Sequence, residues 1–412
     1  MPHPARPYGE QVLSFEQARA LVEQHAASLR SLTVEAVPLA SASGRILAED
    51  ILADRDFPPF PRVTRDGYAL RAADLNALPA RLRVVAEIKA GASDGNGITI
   101  EAGQAAVIMT GAPAPSGADA VVMVEYSTRE GEFVEIRQAV ASGDNIVPTG
   151  SEAKRGSSLL KSGHLLNPAA AAVAASVGKA SLNVFARPRI AILATGDEIV
   201  DIAATPGPTQ IRNSNSHSLA AQVRNAGGEP VLLPVAPDEK TRLRALIEEG
   251  LRYDLLLLSG GVSMGEYDLV EQVLSELGTE FFFTGARIQP GKPVVFGRVR
   301  GKYFYGLPGN PVSTMVTFEL FVRTALDALR GAGPSKLRFL HARLKSPIKT
   351  RTGLTRFLPA LLTGDLARAE VEKLPWQGSG DIATTAQANC YVVIPPDRET
   401  IAAGEWVAIL PC

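Results

Sequence analysis

The spacing of apolar residues changes period several times along the chain, and each change marks a boundary. In "SFEQARALVEQHA" (14–26) apolar residues recur at helical spacing behind Ser14, a residue type suited to the N-cap, so a helix is expected there. "GRILAEDILA" (44–53) reads as a second amphipathic unit, which makes the first 50 residues look helical. "DFPPFPRVTRDGYAL" then breaks the pattern. Its prolines fix their own backbone and restrict the residues before them, so it reads as an extended linker or domain entry. From about residue 66 to 145, short alternating runs such as "LRVVAEI", "QAAVIMT" and "DAVVMVEY" lie between Gly- and Pro-rich turns. They predict a small β-rich unit. "PAAAAVAASVG" returns to helix, so the β unit is read as an insertion between two helical segments.

From Arg187 to about Gly331, continuous apolar runs alternate with amphipathic helices. "RIAILAT", "PVLLPV", "DLLLLS", "PVVFGRV" and "KYFYGL" read as strands. "SHSLAAQVRNAGG", "DEKTRLRALIEEG", "DLVEQVLSELG" and the long "PVSTMVTFELFVRTALDALRG" read as helices. Strands without polar alternation are buried on both faces, so a doubly wound, mostly parallel α/β domain is expected. After "GAGPSK" the chain turns β-like again, with "RFLHARLKS", "TRFLPALLT", "CYVVIPP" and "EWVAIL". That pattern predicts a small C-terminal β-barrel or sandwich.

Composition narrows the function classes. A chain of 412 residues suits about three domains at roughly 150 residues each. Its 42 basic and 43 acidic residues give no broad positive field for nucleic acid or an anionic membrane. Two cysteines, Cys390 and Cys412, are too few for a disulfide framework and suit a reducing, cytoplasmic setting. "MPHPARPYGEQ" lacks the apolar core of a signal peptide, and no run approaches the ~20 apolar residues of a membrane helix.

Candidate chemistry sits where an open parallel sheet binds ligands, beyond the carboxyl ends of its strands. Three polar loops fall there: "TGDEI", "SGGVSMGEYD" and "LPGNPVS". Thr195, Gly196, Asp197, Glu198, Gly260, Gly261, Ser263, Gly309, Asn310 and Ser313 are their candidate contacts for an anion. Glycine lets backbone N–H groups approach a phosphate closely, and a helix start adds positive dipole. Each loop alone is ordinary turn chemistry, whereas three on one sheet edge point to a phosphorylated or nucleotide-like ligand. None has the spacing of a dinucleotide or Walker A loop. Asp197, Glu198, Asp238, Glu266 and Asp268 lie at strand ends or helix starts. Asp is a good N-cap, the better reading of Asp238 taken alone, but several acids beside phosphate loops suit Mg²⁺. "QPGKP" adds Lys292 on a constrained turn entering a strand of the same sheet, directed at the anion site rather than only at solvent. The five histidines and two cysteines show no zinc spacing.

"TRDGYA", "IMTGAPAPSGADAVVMVE", "ATGDEI", "SGGVSMGEYD", "QPGKP", "GLPGNPVS" and "QGSG" occur in one order spanning nearly the whole chain. Together they resemble the molybdopterin molybdenumtransferase family, the molybdenum-insertion enzymes related to the E domain of gephyrin. The resemblance implies four domains: residues 1–56 with 146–186 as a helical and extended linker, 57–145 as the inserted β domain, 187–333 as the α/β domain, and 334–412 as the C-terminal β domain. It implies an elongated homodimer with sites shared between subunits. The implied reaction takes adenylylated molybdopterin and molybdate and, with Mg²⁺-dependent cleavage of the adenylate, gives molybdenum cofactor and AMP. Asp268 matches the acid needed for that cleavage, and Asp238 another acid of the site. Ser263, Gln289, Lys292, Pro293 and Ser379 match the molybdate pocket. Asp66 and Thr110 match residues that the inserted domain brings to the site. A molybdopterin adenylyltransferase and molybdoenzyme apo-proteins are possible protein partners.

The chain departs from the family pattern at Gln289 and Pro359, where relatives carry Lys and Arg, and at Ser151, where "GED" becomes "GSE". The first two departures imply a molybdate pocket with less positive charge. Two rival readings remain. A molybdopterin adenylyltransferase resembles the α/β portion alone, and the flanking β regions argue against it. A gephyrin-like scaffold usually carries a long disordered linker, which this sequence lacks; AMP release from adenylylated molybdopterin separates it from an enzyme.

Overall fold

A computed structural model describes residues 11–30, 33–91, 97–261, 269–365 and 367–412. Helix α1 (Phe15–Ala26) starts as the sequence predicts: Ser14 and Gln17 form a reciprocal capping box. Its apolar face, Phe15, Ala18 and Val22, is buried in the same core as the α/β strands. The covered Arg19 guanidinium donates to the carbonyls of Leu320 and Ser335. The helix therefore packs on the α/β body, not on the linker unit to which the sequence assigned it.

The second amphipathic unit is not helical. Val34–Pro38 pairs antiparallel with Ser181–Phe185, and Ile51–Leu52 with Ser158–Leu160. Ile46 and Leu47 bridge to Leu165 and Val184. Leu47, Ile51, Leu166, Leu182 and Val184 share one core with α2 (Pro168–Ser176). Partners more than a hundred residues away override the local helical spacing. They also close the linker unit from both sides of the insertion.

The inserted unit is a six-stranded sheet with apolar clusters on both faces, built around β1 (Gly67–Leu70). Gly67 is needed there for space: a Cβ at this position would lie 1.8 Å from the Val122 carbonyl oxygen. The "DGYA" motif thus has a structural basis of its own.

The α/β unit runs β2 (Arg189–Ala194), α3 (Ser214–Asn225), β3 (Glu229–Leu232), α4 (Lys240–Gly250), β4 (Leu255–Ser259), α5 (Leu269–Glu276), β5 (Glu280–Phe283), β6 (Ile288–Gln289), β7 (Val295–Val299), β8 (Lys302–Leu307) and α6 (Pro311–Thr317). The main sheet has the order β3-β2-β4-β8-β7-β5. The first four strands are parallel, β7 runs antiparallel to β8, and β5 runs antiparallel to β7. All five residues of β4 are buried between cores on the two faces of the sheet, as their unbroken hydrophobicity requires. After α6 the helix continues through one π-helical turn, Phe318–Val322, into Arg323–Leu329. β5 went unrecognised in the sequence.

In the C-terminal unit β9 (Thr355–Gly364), Ala369–Lys373, Leu340–Leu344, Trp406–Pro411 and Cys390–Ile394 pair in turn, and the last returns to β9, closing a five-stranded barrel. The strand β6 does not join its own domain's main sheet. It adds to the barrel, parallel to β9, with Ile288 opposite Thr355 and Gln289 opposite Arg356.

The Gly67 contact yields a test. Gly67→Ala overpacks the inserted sheet and should cost roughly 1–3 kcal/mol or more. Amide exchange should accelerate across β1 and its neighbours while β4 keeps its protection. Equal acceleration in both would show that the strain is not local to the inserted unit.

Candidate functional site

Strand order reverses between β2 and β4, because the chain leaves β2 for β3 on one side and returns to β4 on the other. The crevice beyond such a switch point is where open α/β sheets bind ligands. Here the loops after three strands are joined to one another. The Thr195 N–H donates to the Ser259 carbonyl at 3.1 Å, and that of Gly260 to the Leu307 carbonyl at 3.2 Å. Gly260 and Gly261 adopt φ of +88° and +62°. A Cβ on Gly260 would stand 2.9 Å from the Thr195 carbonyl oxygen, and one on Gly261 2.6 Å from its hydroxyl. Only glycine combines that backbone with that closeness. Gly309 packs against Gly260, and Asn215, from the first turn of α3, donates to the Ser259 hydroxyl at 3.0 Å and the Gly309 carbonyl at 2.7 Å. Asn215 Oδ1 and the Thr195 hydroxyl are buried without a hydrogen-bond partner among the described residues.

The acids gather beside these loops. The Asp238 N–H donates to Asp197 Oδ1 at 3.0 Å, and the Gly196 N–H to the Ala236 carbonyl at 3.1 Å. The Glu198 carboxylate lies over Gly196. Asp238 does not cap α4 with its side chain, because the N-cap position belongs to Glu239. Among the described residues no cluster of three or more His, Cys, Asp or Glu side chains is arranged to hold a metal. Mg²⁺ commonly takes only one or two carboxylates plus water and phosphate oxygens, and Asp197 and Asp238, linked through the Asp238 N–H, are the described acids here with that donor type. Ser263, Glu266 and Asp268 lie outside the described residues.

The second half of the site is a cavity of about 570 Å³. Gln289, Lys292 and Pro293 line it from one turn, Asn310 and Ser313 from the start of α6, and Leu354 with Trp376 to Ser379 from the barrel. Ser379 is tied to α6 through its carbonyl, which accepts the Val312 N–H at 3.0 Å. The turn is held close because Gly291 is buried against the Thr317 methyl; a Cβ there would approach it to 2.4 Å. Lys292 is exposed and forms no ion pair among the described residues. The Gly309–Asn310 step joins this cavity to the glycine loops.

Among the described residues Asp66 and Thr110 neither line the cavity nor bond to the glycine loops. The Asp66 carboxylate accepts the Thr110 N–H at 2.6 Å and its hydroxyl at 2.8 Å, which hold it below the usual carboxylate range. Among the described residues neither hydrogen-bonds to the α/β unit.

Sequence reasoning missed Asn215, Arg356 and Trp376. Asn215 hides in the polar run "RNSNSHS", where any residue could be a cap. Trp376 precedes "QGSG", and its buried indole N–H has no partner among the described residues. Arg356 lies behind Gln289, and its Nε donates to Gln289 Oε1 at 2.8 Å. A signal for it existed: a charged residue inside the apolar strand "TRFLPALLT". A guanidinium therefore lies beside the Gln289 position, where the sequence implied a pocket with less positive charge. Pro359 is buried in the same strand.

Comparison with known proteins follows this layout. Residues 13–178 match the model of the MoeA N-terminal region (domain I and II), 191–328 that of a probable molybdopterin binding domain, and 341–412 that of the MoeA C-terminal region (domain IV). A molybdopterin molybdenumtransferase of Staphylococcus aureus (strain COL) is 32% identical over 92% of this chain and 91% of its own length. One from Nostoc sp. is 35% identical over 91% and 88%. The crystal structure of a molybdopterin biosynthesis MoeA protein from Pyrococcus horikoshii, 34% identical, superimposes with a TM-score of 0.73 over 97% of this chain and 99% of that one. With three family models succeeding one another in order, and relatives aligned nearly end to end, the chain belongs to the molybdopterin molybdenumtransferase, or MoeA, family.

Proposed function

We propose that the chain transfers molybdenum from molybdate to adenylylated molybdopterin, releasing AMP and molybdenum cofactor. The observation that carries this reading is the joining of two unlike half-sites through Gly309–Asn310. One is a crevice of glycine loops, and the other a cavity holding Lys292 beside Ser313 and Ser379. The Thr195, Gly196 and Gly260 N–H groups are used within the fold, so the close-packed glycine surface at Gly261 and Gly309 and the unpartnered Thr195 hydroxyl are the groups that suit the phosphates of a pterin adenylate. A small cavity with one free ammonium and two hydroxyls suits a tetrahedral dianion.

Asp238 and Asp268 are the proposed Mg²⁺ ligands, with Asp197 beside Asp238. When bound, Mg²⁺ would neutralise charge on the adenylate phosphate oxygens as the bond to AMP breaks. Asp197 orients the Asp238 backbone, and Lys292 holds the incoming oxyanion. That the Asp66–Thr110 pair makes no hydrogen bond to the α/β unit among the described residues favours a homodimer in which a second subunit completes each site. A cytoplasmic location is part of the same proposal; among the described residues no helix is long and apolar enough to cross a membrane.

The primary test is incubation of the purified chain with adenylylated molybdopterin, Mg²⁺ and molybdate. AMP release is expected, and a scaffold would release none. Chelation of Mg²⁺ with EDTA should abolish AMP release while leaving the pterin bound; undiminished release would remove the metal from the mechanism. Lys292→Ala should raise the molybdate concentration giving half-maximal cofactor formation by about tenfold or more, through loss of a charge-assisted hydrogen bond, with pterin affinity unchanged. Loss of pterin binding with unaltered molybdate dependence would move Lys292 to the phosphate site. Light scattering should give the mass of two chains at micromolar concentration. Mixed Asp66→Ala and Asp268→Ala subunits should recover part of the activity each lacks alone; verified heterodimers without recovery would argue against a shared site.

A further inference from the structure

We propose that Arg356 is a positioning residue of the oxyanion cavity: it takes the carbonyl oxygen of the Gln289 amide, turns that amide's NH₂ group toward the bound dianion, and supplies positive charge from one layer behind the wall. The inference rests on the oxyanion reading of the cavity given above.

The register of two strands from different domains carries the argument. β6 lies parallel to β9 with Gln289 directly opposite Arg356. Arg356 Nε donates to Gln289 Oε1 at 2.8 Å, and Nη1 to the Leu354 carbonyl at 3.2 Å. Leu354 and Gln289 both line the cavity, whereas Arg356 is only 7% exposed. A guanidinium has donors and no acceptor, so the Gln289 atom facing it must be the amide oxygen. The other end of the same amide, with two N–H donors, is thereby committed to the opposite side. Without Arg356 either end of the amide could face a dianion, and the carbonyl end would repel it.

The charge balance points the same way. Arg356 is covered yet has no carboxylate partner among the described residues; its charged form is disfavoured by burial and by Arg351. Guanidinium does not deprotonate to escape that cost. A covered, uncompensated cation is expensive unless an anion arrives to offset it. An oxyanion in the cavity is such a counter-charge. The pair divides the work: Gln289 gives the donors and Arg356 the charge.

The test measures molybdate dependence of cofactor formation and, separately, affinity for adenylylated molybdopterin. Arg356→Gln should raise the half-saturating molybdate concentration about tenfold and leave pterin affinity unchanged. Arg356→Lys should restore most of the loss, because an ammonium is also donor-only. Gln289→Lys in the native background should raise the half-saturating concentration, since it sets an ammonium against the guanidinium and removes its acceptor. Combined with Arg356→Gln, the same Lys should improve on either single change. A lower half-saturating concentration in Gln289→Lys alone, or none of the expected rise in Arg356→Gln, overturns the inference. Gln289 is exposed, so Gln289→Lys decides the matter if Arg356→Gln fails to fold. Lys292→Ala separates the two levels. A rise for Lys292→Ala without one for Arg356→Gln defeats this inference alone, and unchanged molybdate dependence in Lys292→Ala defeats the cavity reading itself.

Discussion

A two-residue strand holds the site together. β6 leaves the α/β sheet and pairs with the barrel strand β9, and Phe357, Tyr391 and Leu410 of the barrel join the α/β core beside it, so the two domains share a ladder as well as apolar contact. Side chains alternate across a strand, and Ile288 is fully buried in the α/β core. Gln289 must then face the other way, toward the cavity. A slip of one residue would exchange the two and place Ile288 where Gln289 meets Arg356. The buried Ile288 thus fixes both the register and the chemistry of its neighbour.

The same economy governs the glycine loops. Gly260 and Gly261 approach Thr195 so closely that side chains are excluded at both, and what they leave to meet a ligand is backbone and the Thr195 hydroxyl. Asn215 stiffens the assembly by bonding two of the three loops at once. The fold had to bring an early helix, α3, over the ends of β4 and β8 to do this. Recognition at this end is therefore set by chain path more than by side-chain identity.

Sequence patterning made the α/β unit legible because its strands are buried on both faces and its helices are amphipathic, two signals that do not depend on distant partners. The inserted sheet and the barrel were legible as β for similar reasons. Ile46 to Leu52 misled because their spacing suits a helix locally, and only pairing with residues 158–184 reveals strands. β5 was missed because "EFFF" is short and aromatic, with no alternation to separate it from the preceding helix. Among site residues, the motif loops were visible because glycine, proline and small polar residues punctuate the chain. Arg356 was not, since its meaning depends on β6 crossing to another domain. The charge near Gln289 is set by two strands together, and one strand alone does not display it.

That division bears on how such a cavity changes over time. Lys at the β6 position places charge and donor on one flexible side chain. Gln289 with Arg356 separates them, and it holds the donor in a fixed orientation through a hydrogen bond to a buried guanidinium. A fixed donor loses less side-chain freedom when it meets an anion than a lysine ammonium does. The two arrangements can therefore reach comparable affinity by different routes. They cannot be interchanged one residue at a time without loss, because each intermediate has either two cations in contact at this pair or leaves Lys292 as the remaining cation of the cavity. Coupling of this kind ties the sequence of the barrel to that of the α/β turn, although the two lie in separate domains and more than sixty residues apart, at positions 289 and 356.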